Sequence, residues 1–130
     1  MGVPAAKEGD SILAIDTHVV MVPSPGGPVP TPMPLPFSGK LSGDLAPSVF
    51  IDNKHAAVEG STARNEPAHS APAGPFQAPP ANKGTVQQGS ATVFFANKPA
   101  ARMGDPATTC NDPSDAPVGS VIADGKVFVG

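Results

Sequence analysis

The most continuous apolar stretch of the chain is Ser11–Val22, Ser-Ile-Leu-Ala-Ile-Asp-Thr-His-Val-Val-Met-Val, rich in β-branched residues and interrupted only by Asp16-Thr17-His18. That pattern predicts two strands with a turn at the polar interruption. The next segment is of a different kind. Seven prolines fall between Pro23 and Pro36, including the alternation Pro28-Val29-Pro30-Thr31-Pro32-Met33-Pro34-Leu35-Pro36. Alternating Pro favours an extended, left-handed backbone without internal hydrogen bonds. The interleaved Val29, Met33, Leu35 and Phe37 predict a strap laid across an apolar surface, whereas a bare run of this kind would be a linker or an SH3-type ligand. Residues 1–10 carry no strand or helix pattern and predict a flexible lead-in.

Further along, the chain repeats itself. Val49-Phe50-Ile51-Asp52-Asn53-Lys54-His55-Ala56-Ala57-Val58-Glu59-Gly60-Ser61 precedes, by 44 residues, Val93-Phe94-Phe95-Ala96-Asn97-Lys98-Pro99-Ala100-Ala101-Arg102-Met103-Gly104-Asp105. Seven of the thirteen positions are identical, far above chance. Each copy predicts a short apolar strand, a tight turn centred on Asn-Lys, a return strand of small residues and a terminating Gly, because Asn tolerates the left-handed backbone of tight hairpins. The paired alanines leave room for close approach of another backbone. Val121–Val129 predicts a last strand–turn–strand, and Thr62–Gly89 reads as Pro-rich loop. No stretch predicts a helix.

Composition narrows the class. The 130 residues include 18 Pro and 14 Gly, about a quarter of the chain, which removes helical bundles. Gly shows no three-residue period, which removes collagen. A hydrophobic fraction of 39% and a formal net charge of only -3 argue against charge-driven disorder. The expected fold class is all-β, a single small domain over 1–130 shaped as a wedge or pyramid of hairpins, with a thin core of the kind that needs a staple. Eight basic against eleven acidic residues leave no footprint for nucleic acid, and no apolar run is long enough for a membrane span. The first residues lack the pattern of a signal peptide, and the lone Cys110 excludes an intrachain disulfide. A chain made in a reducing cytoplasm is expected.

Pro99-Ala100-Ala101-Arg102, preceded by Phe94-Phe95-Ala96-Asn97-Lys98 and followed by Met103-Gly104-Asp105, resembles the signature of the PAAR-repeat family. The Pro-Gly-Gly-Pro-Val-Pro-Thr-Pro run at 25–32, Ala81-Asn82-Lys83-Gly84-Thr85 and Thr109-Cys110-Asn111-Asp112-Pro113 are similar to the PAAR-like branch, so the resemblance covers nearly the whole chain. It implies a sharp cone whose three-sided base of β-hairpins seats on a trimeric VgrG-like spike, one tip per trimer. Such spikes belong to contractile injection machines, either type VI secretion systems or their extracellular phage-tail-like relatives. The cone would pierce the target envelope without stable membrane insertion, be a monomer on its own, and be made in the bacterial cytoplasm before ejection. The absence of sequence beyond the cone implies that any effector is a separate chain.

The resemblance also implies a His/Cys metal site near the apex. The candidates are His18, His55, His69 and Cys110. A His3Cys set would saturate a tetrahedral zinc and leave no open position, as in structural sites; iron is the other metal considered. His69 and Cys110 follow the Gly of their repeats by 9 and 6 residues, and His18 sits at the polar interruption of the first apolar stretch. His55 replaces the Pro of the motif. Relatives of the PAAR-like branch carry a His in the Pro-rich strap, where this chain reads Pro34-Leu35-Pro36, so the fourth ligand is left open between water, His55 and a nearby carboxylate. Arg102 reads as a salt bridge to Asp105, a carbonyl clamp or a solvated side chain. Against a spike tip stand two other readings: a small zinc hydrolase with water in the fourth position, for which no His-Glu-x-x-His or similar motif is present, and a Pro-rich adaptor bound by SH3-like partners.

Overall fold

A computed structural model describes residues 2–130. It is built from twelve strands, and among the described residues there is no helix, in keeping with the all-β expectation. The long strands β2 (Ser11–Val22) and β3 (Val29–Gly43) pair antiparallel without a break from Ser11↔Lys40 to Val22↔Val29. Asp16-Thr17-His18 is therefore no turn. The alternation of β2 continues through it: Ile12, Asp16, His18 and Val20 are buried, while Leu13, Ile15 and Thr17 face out. Two polar residues on the inner face looked like a break because the interior was expected to be apolar.

The proline run likewise forms a strand rather than a strap. Pro30, Pro32, Pro34 and Pro36 share the outer, exposed face of β3, and Leu35, Phe37 and Leu41 share the buried one. N–H directions alternate along a strand. The even positions would aim theirs away from β2, where β3 has no ladder partner until β6 (Thr62–Asn65) joins at Gly39. Proline is tolerated where the missing donor would face an open edge. Of the interleaved apolar residues, Leu35 and Phe37 pack inward as expected, Met33 is half-buried and Val29 is exposed; the backbone is already paired with β2 and is not a free ligand for an SH3-like domain.

Hairpin β2–β3 joins β6–β7 (Lys83–Val86) and β10 (Pro106–Thr109)–β11 (Ala116–Ile122) in a closed six-stranded barrel, ordered β10-β11-β2-β3-β6-β7. Ile12, Phe37, Leu41, Ala63, Val86 and Val121 fill its interior. Below it lie three two-stranded hairpins: β4 (Phe50–Ile51)–β5 (Lys54–His55), β8 (Phe94–Phe95)–β9 (Lys98–Pro99), and β1 (Val3–Pro4)–β12 (Phe128–Val129). The turns of the first two centre on Asp52-Asn53 and Ala96-Asn97, with φ of 53, 64, 52 and 69°, one residue earlier than the sequence suggested. Positive φ at both central residues matches the twist of a tight hairpin.

The third hairpin changes two expectations. Residues 1–10 were read as a lead-in, yet Val3 and Pro4 pair with Val129 and Phe128, and Ala5 and Ala6 are buried. Phe128 pairs with this arm and not with Val121. Val3-Pro4-Ala5-Ala6-Lys7-Glu8-Gly9-Asp10 is thus a third copy of the return arm, separated in sequence from its own outgoing strand. The register agrees in all three: Phe128 faces Pro4, Phe50 faces His55 and Phe94 faces Pro99.

Backbone bonds close these units into a ring. Ala57 donates its N–H to the carbonyl of Ala6 at 2.9 Å, Ala6 to Ala101 at 2.9 Å, and Ala101 to Ala57 at 3.0 Å. All three are fully buried. Only a methyl side chain suits positions where three backbones approach one pseudo-three-fold axis. The second alanine of each pair packs into the barrel core; the first, Ala5, Ala56 or Ala100, packs with Ile51, Val58 and Val129 in a separate basal core. After each pair, a glycine with φ near 90° (Gly9, Gly60 and Gly104) turns the chain up into the barrel. The symmetry ends there. Strands β2 and β3 run for 12 and 15 residues against four for β6, β7 and β10, so one hairpin rises beyond the others and the molecule tapers from three hairpins to one.

Candidate metal centre

Each arm of the barrel delivers side chains to one place near the start of the taper. Asp16 and His18, two residues apart on β2, point inward. His69 comes from the loop after β6, and Cys110 follows β10 directly. One donor atom from each of Asp16, His18, His69 and Cys110 lies within 4.8 Å of the others, so these four can hold a metal ion.

The supporting bonds explain why the loops stop there. Asn82, at a φ of 55°, accepts the N–H of His69 at 2.8 Å and the side-chain amide of Asn65 at 3.2 Å. Asn65 Oδ1 in turn accepts the N–H of Ser38 at 2.9 Å. On the other side, the amides of Thr17 and Val19 donate to Asn111 Oδ1 at 2.6 Å and Asp112 Oδ2 at 2.8 Å, stitching the segment after Cys110 to β2. Above the cluster, Met21 and Gln77 exchange backbone bonds with Pro75 and Val19, which brings the Phe76 ring edge-on to His18 at 5.9 Å. Phe37 closes the floor, with its ring 6.2 Å from His69.

Asp16 is the hub. Its Oδ2 accepts from His69 Nε2 at 2.7 Å and from the Cys110 thiol at 3.5 Å, and its Oδ1 accepts from the Thr109 hydroxyl. Burial, reinforced by the neighbouring Asp16 charge, pushes the Cys110 thiol above its ordinary value, against the pull of the backbone amides of Asn82 and Lys83. His18 is the outlier: neither ring nitrogen has a hydrogen bond, although the side chain is buried. Asp112 Oδ2 stands 3.4 Å from Nδ1 but outside bonding geometry. A buried polar group without a partner is costly, and native interiors rarely keep one. A cation in the cluster would use that lone pair and neutralise the carboxylate. Two imidazoles, a thiolate and a carboxylate form a donor set suited to zinc.

Of the four residues singled out in the sequence, the structure brings His18, His69 and Cys110 together and does not bring His55 to them. His55 lies on β5 in the base, where Nδ1 donates to the Ala46 carbonyl at 3.0 Å and the ring packs on Phe50 at 4.5 Å. The place left open for a carboxylate falls to Asp16. Its signal was present in the sequence, since Asp16 and His18 continue the spacing of Ile12, Ala14 and Val20. Arg102 combines two of the roles considered: Nε donates to Asp105 Oδ1 at 2.9 Å and a terminal nitrogen to the Gly130 carbonyl at 2.7 Å.

The comparisons with known proteins agree with this architecture. No curated protein matches the chain. The family model described as PAAR motif matches twice, over residues 19–110 and 77–130, so that the two matches together span residues 19–130 and leave out the first arm of the ring and β2 as far as His18. With the three-hairpin base, the alanine ring and the tapered barrel, this match shows that the chain belongs to the PAAR motif family.

Proposed function

We propose that the chain is the non-catalytic tip of a contractile injection system, of the type VI secretion or extracellular kind, capping and sharpening a trimeric VgrG-like spike. The family is associated with such spike tips. The observation that carries the reading is the set Phe50, Phe94 and Phe128. They occupy the same register position of the three basal hairpins and are 57, 56 and 59% exposed. Three equivalent aromatic residues around a pseudo-three-fold axis match a partner that offers the same apolar socket three times, as the blunt end of a trimer does. Exposed apolar side chains grouped in this way mark an interaction surface. One tip would seat on one trimer.

The opposite end would be pinned by a structural zinc held by Asp16, His18, His69 and Cys110. Four protein ligands fill a tetrahedral ion and leave no position for substrate, which suits a staple and not a hydrolase. The metal's contribution there is cross-linking: it would tie β2 to the loops after β6 and β10. The chain would be made in the cytoplasm and leave the cell with the machine.

Co-purification with a trimeric VgrG-like spike from the same source tests the reading. A one-to-three complex is expected, lost in a Phe50→Ser/Phe94→Ser/Phe128→Ser variant that remains folded and monomeric. An intact complex in that variant would show that the base is not the docking face.

A further inference from the structure

The outer face of the barrel carries a row of basic residues that the spike reading does not use. Strand register places Lys40 of β3 opposite Arg64 of β6, and Arg64 opposite Lys83 of β7. All three side chains are exposed, and none takes part in an ion pair among the described residues. Directly opposed like charges destabilise a sheet. Here two such pairs are consecutive, in a protein whose net charge is negative. Ser11, on β2, extends the row on the far side of Lys40.

A hollow of about 410 Å³ lies over the Ser11–Lys40–Arg64 part of this row, lined by Ser11, Ser38, Lys40, Ser42, Arg64 and Glu66, with Lys83 outside it on the next strand. Its chemistry is uneven in a useful way. Two cations on neighbouring strands, with Cβ atoms about 5 Å apart by ordinary sheet geometry, can converge on one tetrahedral oxyanion. Three serine hydroxyls supply further donors. Glu66 lies two residues beyond Arg64 on the same face and would accept a hydroxyl, not an anion.

We infer that the Lys40–Arg64–Lys83 row and the hollow above it form a binding site for a phosphate group carried on a polyol, as in glycerol phosphate. Lys40 and Arg64 take the phosphate, the serines complete its hydrogen bonds, and Glu66 takes a hydroxyl of the carrier. Two sources present this chemistry: a soluble glycerol phosphate and the headgroup of an anionic phospholipid. Leu13 and Ile15, paired with Ser38 and Pro36 and 43 and 60% exposed, continue the outer face of β2 beyond Ser11 and would meet the apolar part of a lipid.

The test uses the full chain. Isotope-labelled protein is titrated with sn-glycerol 3-phosphate by NMR, and sedimented with vesicles of phosphatidylcholine alone or mixed equally with phosphatidylglycerol. Shifts confined to the amides around Ser11, Lys40, Arg64 and Lys83 are expected, and binding should weaken about fivefold for each basic side chain removed in Lys40→Gln/Arg64→Gln. Binding of soluble glycerol phosphate without vesicles assigns the soluble source; selective sedimentation with phosphatidylglycerol assigns the lipid. The double variant relieves a like-charge contact, so its melting temperature should equal or exceed the parent's, separating lost binding from misfolding. Lys54→Gln/Lys98→Gln removes the same charge from the base and should bind like the parent. No response to either ligand, or equal losses in the two double variants, overturns the site. Neither outcome depends on attachment to a spike, which is scored separately.

Discussion

Asp16 Oδ2 lies 2.7 Å from His69 Nε2, although the two residues come from different arms of the barrel. The contact ties β2 to the long loop between β6 and β7, and both side chains are almost wholly buried. With Cys110 and His18 they form the single cluster among the described residues whose chemistry suits a metal. Replacing any of the four should therefore remove metal and stability together. Cys110→Ser and Asp16→Asn are expected to lose bound zinc and at least about 3 kcal/mol of unfolding free energy when zinc is supplied. His55→Ala should keep its metal. Elemental analysis with denaturant titration checks both, and after chelation the parent should fall toward the variants.

Metal binding should also be coupled to pH. A thiol raised by burial must release its proton when a cation takes the sulfur, so zinc affinity should rise with pH through neutrality and beyond the ordinary thiol value of 9.0. For the metal-free protein the sign is opposite. A folded-state thiol value above the unfolded one favours the folded chain at lower pH, and that contribution is lost as pH rises through the folded value. Chelated protein should be progressively less stable above 9.0, while zinc-loaded protein should not follow it. Melting curves on either side of that value separate the two.

Arg102 should matter to the base and not to the metal. Its side chain bonds Asp105 and the Gly130 carbonyl, holding the end of β12's hairpin, but is 29% exposed, which limits the effect of the ion pair. Arg102→Ala is expected to cost about 1 kcal/mol with metal content unchanged. Lys7 holds Asp10 in the equivalent place at 3.4 Å, and Lys7→Ala should cost less. Equal metal retention in both variants is the point to verify.

The alanine ring predicts intolerance of a kind that ordinary core positions lack. Ala57→Val adds two methyl groups where the N–H and carbonyl of Ala57 both bond the neighbouring units. A loss of about 1–3 kcal/mol is expected from overpacking. Ala63→Val, in the barrel wall away from the ring, should cost less. Thermal unfolding of the two variants compares them directly.

The repeats and the turn-rich all-β class were legible because they rest on local chemistry: Asn at a positive φ, paired alanines, Gly at the exit. Two features were not. Strand β2 was divided at Asp16-Thr17-His18 because a polar pair in a strand normally ends its buried face, and only the partners His69 and Cys110, more than fifty residues away, make those positions acceptable inside. The proline run could not be read as a strand without knowing that all four of its even-numbered prolines from 30 to 36 would face an unpaired edge. Asp16 was left unnamed among open alternatives for the same reason as the first.

The third unit of the base, joined from residues 3–6 and 127–129, has a consequence in time. The other two hairpins connect neighbours in sequence and can form as soon as their turns are made. Pairing Val3 with Val129 requires nearly the entire chain, and contacts of such sequence separation are slow to form. The cluster of Asp16, His18, His69 and Cys110 closes a shorter span of chain, so it can assemble while the base is still an open ring. The face proposed to meet a spike is then the last part of the molecule to be finished, and until Phe128 pairs with Pro4 only two of its three phenylalanines are in place.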